Sequence, residues 1–99
     1  MSDVNKELEA LRAALAVSPE NVPLRLHLAD TLREAGRNRE AAGEYRAALK
    51  LDPNSASGHA ALGALLYELN ELEDALEHLQ TAVRLAPRDA GALLALSRV

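Results

Sequence analysis

One stretch of nine residues recurs three times at a fixed spacing, and this recurrence constrains the fold more than any other feature. The sequence reads ALAVSPENV at residues 14–22, ALKLDPNSA at 48–56 and AVRLAPRDA at 82–90. The three central prolines, Pro19, Pro53 and Pro87, are evenly spaced 34 residues apart. A fixed period of this length is typical of proteins in which one supersecondary unit is repeated along the chain.

Residues 22–55 and 56–89 can be aligned at this period as two copies of one unit. Eight aligned positions keep the size class of their side chain. These pairs are Leu28 with Leu62, Ala29 with Gly63, Leu32 with Leu66, Ala41 with Ala75, Tyr45 with Leu79, Ala48 with Ala82, Leu51 with Leu85 and Pro53 with Pro87. Conserved size at these positions indicates places where elements pack against each other.

Leucines at helical spacing predict the first helix of each unit, which we name helix A. In the first unit, helix A should run from about Val22 to Ala35 and end at Gly36, a residue suited to a left-handed C-cap. Asn70 stands at the same place in the second unit and also tolerates that backbone conformation. The leucines are Leu24, Leu28 and Leu32 in the first unit and Leu62, Leu66 and Leu69 in the second.

The second helix of each unit, helix B, is predicted from a face of small residues. Ala41, Tyr45, Ala48 and Leu49 share one helical face, and the helix should end before Pro53 because proline cannot continue it. Opposite them, an alanine or glycine on helix A would let the two backbones approach closely. A bulky side chain at Gly63 should therefore overpack this contact at a cost of about 1 to 3 kcal/mol.

Together these features resemble the tetratricopeptide repeat family, and the resemblance covers both units. It implies an all-α fold, an α-α superhelix (solenoid) of antiparallel helix hairpins with about five to six helices. We expect a single domain over residues 1–99. Its parts would be an N-terminal half repeat of helix B type at 1–21, repeat 1 at 22–55, repeat 2 at 56–89 and a truncated third helix A at 90–99.

Three positions depart from the family pattern. The bulky aromatic side chain expected early in helix A is Arg25 in the first unit and His59 in the second. Glu7 stands where an alanine is expected, while Leu11, Ala14 and Leu15 lie at the equivalents of Tyr45, Ala48 and Leu49. We expect these departures to weaken packing between repeats.

The family resemblance also implies a concave groove, lined by helices A, that binds a peptide or a helix of a partner protein. We expect an apolar side chain to enter a shallow, alanine-walled pocket, with Asp30, Arg33 and Arg98 binding polar groups. The alternative is that the alanines are good helix formers on an unused surface. The implied groove residues are Leu26, His27, Asp30, Arg33, Ala60, Ala64, Tyr67, Leu94 and Arg98.

One known variant of the family captures the C-terminal carboxylate of chaperones with Lys, Asn and Arg side chains. At the corresponding positions this chain has apolar or acidic residues and a single cation, Arg98. We therefore expect no binding of chaperone tails of that type. The five positions are Leu26, Asp30, Ala64, Leu94 and Arg98.

Composition excludes several other classes of function. The chain has no cysteine and a net charge of −4, which argue against a disulfide framework and against nucleic acid as a partner. Residues 1–50 carry eight acidic and eight basic side chains, whereas 51–99 carry seven and three, so a charged partner could be oriented along the chain. No apolar run predicts a signal peptide or a membrane span, and we expect a cytoplasmic protein.

No residue pattern predicts catalysis or a cofactor. The three histidines occupy different repeat positions without the i, i+4 spacing of a zinc site, so we expect partly exposed side chains and no metal. The serines are expected to cap helices rather than to act as nucleophiles. We therefore predict a protein that is not an enzyme. The residues are His27, His59 and His78, and Ser18, Ser55, Ser57 and Ser97.

Two alternatives to groove binding stay open. The apolar C-terminal helix, with Leu93, Leu94, Leu96 and Val99, could form a homodimer, since solenoids bury their apolar ends. The stretch LRAALAVSPENVPLRLHLAD also resembles the repeat-bearing N-termini of some bacterial AAA-type ATPases. On that reading the chain would be the recruitment domain of a larger protein.

Overall fold

A computed structural model describes residues 3–99, which form six α-helices and no β-strand. This confirms the predicted all-α class and the expected number of helices. The chain divides into two compact units, the first ending at Leu51 and the second beginning at Asp52. The expected organisation as a single domain stays a prediction. The helices are α1 (Asp3–Val17), α2 (Val22–Glu34), α3 (Asn38–Leu51), α4 (Ala56–Glu68), α5 (Leu72–Leu85) and α6 (Ala90–Ser97).

In the first unit, α2 packs against both α1 and α3. Burial of leucine and alanine side chains holds the three helices together, and Tyr45 is the largest side chain that is fully buried. Ala29 has no exposed surface, which fits the predicted close approach of α2 and α3. The buried residues of this core include Leu8, Leu11 and Leu15 from α1, Leu28, Ala29 and Leu32 from α2, and Ala41, Tyr45, Ala48 and Leu49 from α3.

The second unit repeats this arrangement with α4 packed against α5, and it adds α6, which contacts both. Gly63 of α4 lies against Leu79 and Ala75 of α5, because a Cβ built at Gly63 would meet atoms of both residues. The missing side chain thus permits the helices to approach closely, as the sequence predicted. The buried residues include Leu62, Leu65 and Leu66 from α4, Ala75, Leu79 and Ala82 from α5, and Ala92 from α6.

Three helices begin with a side-chain cap at the same repeat position. The side chain of Asn21 accepts a hydrogen bond from the Leu24 amide at 3.1 Å, and Ser55 accepts one from Gly58 at 3.0 Å. Asp89 accepts one from Gly91 at 2.9 Å. Each bond satisfies an amide that has no partner within its own helix. The capping residues are 34 positions apart, so the start of α2, α4 and α6 is encoded once per repeat.

Both residues that were predicted to adopt a left-handed backbone conformation do so. Gly36 has φ of 80° and Asn70 has φ of 63°. The following amides, of Arg37 and Glu71, each donate to the carbonyl five residues earlier at 2.9 Å. This is the Schellman arrangement, and it ends α2 and α4 identically.

The structure differs from the predicted helices in two details. Helix A of the first unit ends at Glu34, one residue before the predicted end, and Ala35 is its C-cap because its ψ of 1° is no longer helical. Ala14 was placed at a packing position but is exposed, whereas Ala48 is buried. The reason is that α1 packs on α2 through leucines at positions 8, 11 and 15, which leaves Ala14 on the outer face.

Candidate interaction site

The predicted groove residues of the first unit all lie on α2, at a spacing that places Leu26, Asp30 and Arg33 along one side of the helix. Leu26 and Arg33 are half-buried, and His27 and Asp30 are exposed. Four side chains of the predicted set are therefore presented by one helix. Whether they bind a ligand stays a prediction.

Asp30 is already engaged within the protein. The hydroxyl of Tyr45 donates a hydrogen bond to Asp30 Oδ1, linking the outer side of α2 to the core of α3. Burial raises the pKa of Tyr45, and the hydrogen bond and the negative charge of Asp30 act in the same direction. A hydrogen-bond donor of a ligand at Asp30 would therefore share this carboxylate with the Tyr45 hydroxyl, which is the only polar group of that buried side chain.

The predicted residues of the second unit lie on two helices that touch. Ala60, Ala64 and Tyr67 are on α4, Leu94 is on α6, Arg98 is its C-cap, and α4 and α6 are in contact. The two alanines are half-buried, Tyr67 is 39% exposed and Leu94 is 60% exposed. These two contacting helices thus carry half-buried small residues and two large apolar side chains that are partly exposed.

Close to the start of α2, an ion pair joins the two helices of the first repeat. Arg25 Nη1 lies 2.9 Å from Glu44 Oε1 on α3, and Arg25 Nη2 donates to the Pro19 carbonyl at 2.9 Å. Both charged side chains are mostly buried, and Arg25 Nε has no hydrogen-bond partner. Arg25 stands where the family pattern expects an aromatic residue, so a guanidinium with a long apolar stem takes that place.

Two histidines replace this ion pair in the second repeat. His59 Nδ1 lies 3.0 Å from His78 Nδ1, and His59 Nε2 lies 2.8 Å from the Pro53 carbonyl. The rings are stacked with their centroids 5.2 Å apart. Both side chains are partly exposed on helices, as expected from the sequence, but the sequence did not predict that the two histidines contact each other. The missed signal was the aligned pair Arg25 and Glu44, whose opposite charges indicate that these repeat positions face each other.

The third histidine is in a different setting. His27 Nε2 of α2 lies 3.7 Å from Glu7 Oε2 of α1, and both side chains are at least half exposed. The expected partly exposed helical histidine describes His27 well. Among residues 3–99, no cluster of three or more His, Asp or Glu side chains could hold a metal ion.

A second charged contact joins α1 and α3. Glu40 accepts from Arg37 Nε at 2.8 Å and lies 3.4 Å from Arg12 Nη2 of α1. The hydrogen bond from Arg37 lowers the pKa of Glu40, and Glu40 in turn raises the pKa of Arg37. Because all three side chains are exposed, water screens the attraction and the contact contributes little to stability.

Two open hollows lie on the second unit, at α5 and the turn before it. The larger, of about 390 Å³, is lined by Leu76, Gln80 and three carboxylates; the smaller, of about 250 Å³, lies beside Leu72. Neither includes a predicted groove residue. The carboxylates of the larger hollow are Glu73, Asp74 and Glu77. In the described part of the chain, every helix is too short or too polar to cross a bilayer.

Comparison with known proteins places the chain in a family. A model of the tetratricopeptide repeat matches residues 8–56, 26–90 and 60–99, which together span most of the chain. The register of these matches agrees with the period of 34 read from the prolines.

Curated relatives carry similar segments within much longer proteins. The chain is 39% identical over 66 residues to the TPR repeat-containing thioredoxin TTL4 of Arabidopsis thaliana; the match covers 67% of this chain and 10% of that protein. It therefore spans about a tenth of the length of this relative, whose remaining length has no counterpart here.

Solved structures of similar fold confirm the repeat architecture. MamA superposes with a TM-score of 0.91 at 27% identity, over 97% of this chain and 56% of that one. The first TPR of Spaghetti (RPAP3), solved bound to the HSP90 peptide SRMEEVD, superposes with a TM-score of 0.92 at 18% identity, over 97% and 76%. At that identity the second likeness concerns the fold alone. The chain belongs to the tetratricopeptide repeat family and has its all-α solenoid fold.

Proposed function

We propose that this chain is a protein-interaction module without catalytic activity of its own, and that it binds a peptide or helix of a partner through the predicted groove residues. The observation that carries the proposal is in the second unit, where α4 and α6 touch and present half-buried Ala60 and Ala64 with exposed Tyr67 and Leu94. Large apolar side chains beside small ones form the kind of shallow surface that accepts an apolar side chain of a ligand.

Similar proteins support this proposal at a coarse level. The RPAP3 repeat domain, which has the same fold, was solved with a peptide bound. This chain has Leu26, Asp30, Ala64 and Leu94 at four of the five positions where chaperone-tail binders use polar or basic side chains. We therefore propose a ligand with an apolar anchor rather than a free acidic C-terminus.

A pull-down followed by peptide mapping tests the groove. The double variant Ala60→Glu/Ala64→Glu places two carboxylates on α4, and the matched control Ala10→Glu/Ala14→Glu places two at the same spacing on exposed positions of α1. We expect the partner to be retained by the wild type and the control but lost from the α4 variant. Circular dichroism should show that both variants stay helical.

The peptide identified in this way should then be titrated into the labelled protein. We expect amide shifts on α2, α4 and α6. Shifts confined to α3 and α5, or equal retention of the partner by both double variants, would contradict binding at the groove. An acidic C-terminal EEVD-type peptide should bind no more tightly than the same peptide with an amidated C-terminus; a preference lost in Arg98→Ala would contradict the proposed ligand class.

Self-association is the second candidate, and exposed side chains on α6 favour it. Leu93 is 44% exposed and Leu94 is 60% exposed. Light scattering over a range of concentrations distinguishes the two candidates. A mass that rises with concentration and falls back in Leu93→Ser would support self-association, whereas a monomer at all concentrations would remove it.

A further inference from the structure

The two repeats use the same three positions to make one contact with different chemistry. In each repeat the fourth residue of helix A meets the seventh residue of helix B and also reaches the carbonyl of the proline before helix A. In the first repeat these side chains are Arg25 and Glu44, 2.9 Å apart. In the second they are His59 and His78, 3.0 Å apart. The second contact therefore depends on protons that the first does not need.

The hydrogen bonds fix where those protons are. A carbonyl only accepts, so His59 Nε2 must carry a hydrogen that it donates to Pro53. In neutral His59 the other ring nitrogen, Nδ1, is then an acceptor, and the proton between the rings belongs to His78 Nδ1. One added proton preserves this bond, because one Nδ1 can still accept from the other. A second added proton places a hydrogen on both Nδ1 atoms and leaves no acceptor between them.

We propose that the His59–His78 contact is a proton-sensitive latch of the second unit, intact when the pair holds no more than one added proton and released when both imidazoles are protonated. Double protonation brings two positive charges together, and release then removes the bond between α4 and α5 at the start of α4. The partly exposed rings can then turn to water.

The charged groups around the latch do not replace the missing acceptor. On α4 the other ionisable groups are Tyr67 and Glu68, eight and nine residues beyond His59, and α6 carries none. On α5, Asp74 lies one turn before His78 and Glu77 lies beside it in sequence, while Glu73 and Arg84 are further along the helix. The two Nδ1 atoms lie only 3.0 Å apart, so the clash of two Nδ1–H groups does not depend on these neighbours.

The sign of the pH effect follows from counting protons. Imidazoles of an unfolded chain are protonated below about pH 6.5. The unfolded chain then holds both added protons, whereas the latched unit holds at most one. Folding of the second unit therefore becomes less favourable as the pH falls. This trend ends at the pH at which the latch releases. The pair Arg25 and Glu44 contains no imidazole and joins opposite charges, so it provides the comparison for the latch.

Imidazole nitrogen NMR of the full chain, in buffer with EDTA to exclude metal binding, tests the starting state. At pH 7.5 we expect His59 to carry its hydrogen on Nε2 and His78 on Nδ1, with His27 as the reference histidine outside the latch. Finding the hydrogen of His78 on Nε2 would overturn the proposal.

Hydrogen exchange at pH 7.5 and pH 5.0, corrected for intrinsic rates, tests the release. We expect protection of α4 and α5 amides to fall by up to about tenfold per pH unit below about pH 6, with α2 and α3 little changed. Equal changes in both units would overturn the latch.

Two reciprocal double variants complete the test, because each repeat supplies the other's contact. His59→Arg/His78→Glu should abolish the acid sensitivity of the second unit, and Arg25→His/Glu44→His should create it in the first. If the first variant fails to fold, the second still decides: a first unit that stays insensitive to pH with two histidines in place would overturn the proposal.

Discussion

The backbone of Gly63 comes so close to Leu79 that a Cβ atom at position 63 would lie 2.6 Å from Leu79 Cγ and 3.3 Å from the Ala75 carbonyl oxygen. Neither neighbour can move cheaply, since one is the branch point of a fully buried side chain and the other is helix backbone. The absence of one carbon atom therefore sets how closely α4 and α5 pack.

Gly63→Ala should destabilise the protein even though alanine is the better helix former. We expect a loss of about 1 to 3 kcal/mol from overpacking, partly offset by a gain of up to about 1 kcal/mol in helix propensity. Gly43 of α3 provides the control, because a Cβ there meets nothing within 4 Å. Gly43→Ala should stabilise by about 0.5 to 1 kcal/mol. Urea unfolding of both variants measures the difference, and a Gly63→Ala protein as stable as Gly43→Ala would refute the close contact.

Asn70→Gly should cost nothing or stabilise slightly, while Asn70→Ala should cost about 1 kcal/mol. The reason is the φ of 63° at this position, which glycine adopts freely and which brings the Cβ of alanine close to the backbone. Chemical denaturation measures both changes. Equal stability of the two variants would mean that Asn70 does not hold the left-handed conformation in solution.

Tyr45→Phe should lower stability by about 1 kcal/mol at neutral pH, because it keeps the buried ring but removes the hydrogen bond to Asp30. The wild type should also lose stability as the pH rises above 10. The raised pKa of Tyr45 keeps the folded ring neutral while the unfolded chain ionises, so the stabilisation is complete below the ordinary pKa of tyrosine and is lost progressively as the pH rises from there towards the raised pKa.

Thermal or urea unfolding between pH 8 and pH 11 follows this loss. The Tyr45→Phe protein should show a shallower decline than the wild type over the same range, since all other ionisable groups are the same in both proteins. Parallel declines would contradict a buried, hydrogen-bonded hydroxyl at position 45.

Ser55→Ala should destabilise by about 1 kcal/mol, because it removes the cap of α4 and leaves the Gly58 amide without its side-chain acceptor. Ser18→Ala, at an exposed turn position after α1, is the matched control and should change stability little. The denaturant midpoints of the two variants measure the difference in stability. An equal effect at both serines would argue against a specific cap at Ser55.

The sequence predicted the fold well where one residue decides a local conformation. Gly36 and Asn70 ended their helices as expected, because a positive φ depends on the residue itself. Ala14 stands at the repeat equivalent of the buried Ala48 but is exposed, since burial depends on which face of α1 meets α2. Repeat position alone did not carry that information.

The candidate site was harder to predict for the same reason. Side chains that share one helix face, such as Leu26 and Asp30, follow from spacing alone. The bond from Tyr45 to Asp30 and the pairing of His59 with His78 join residues on different helices. Such contacts depend on the rotation of each helix about its axis, which a list of spacings does not specify.

Because Asn21, Ser55 and Asp89 cap their helices from the same repeat position, the boundary of one repeat can be reused at another. Residues 22–55 contain a complete hairpin and end with the serine that starts the next helix. A second copy of this segment inserted after Ser55 would have its first helix capped by the original serine and would itself cap α4. The chain could thus be lengthened by whole repeats, with every new junction made from a sequence that it already uses.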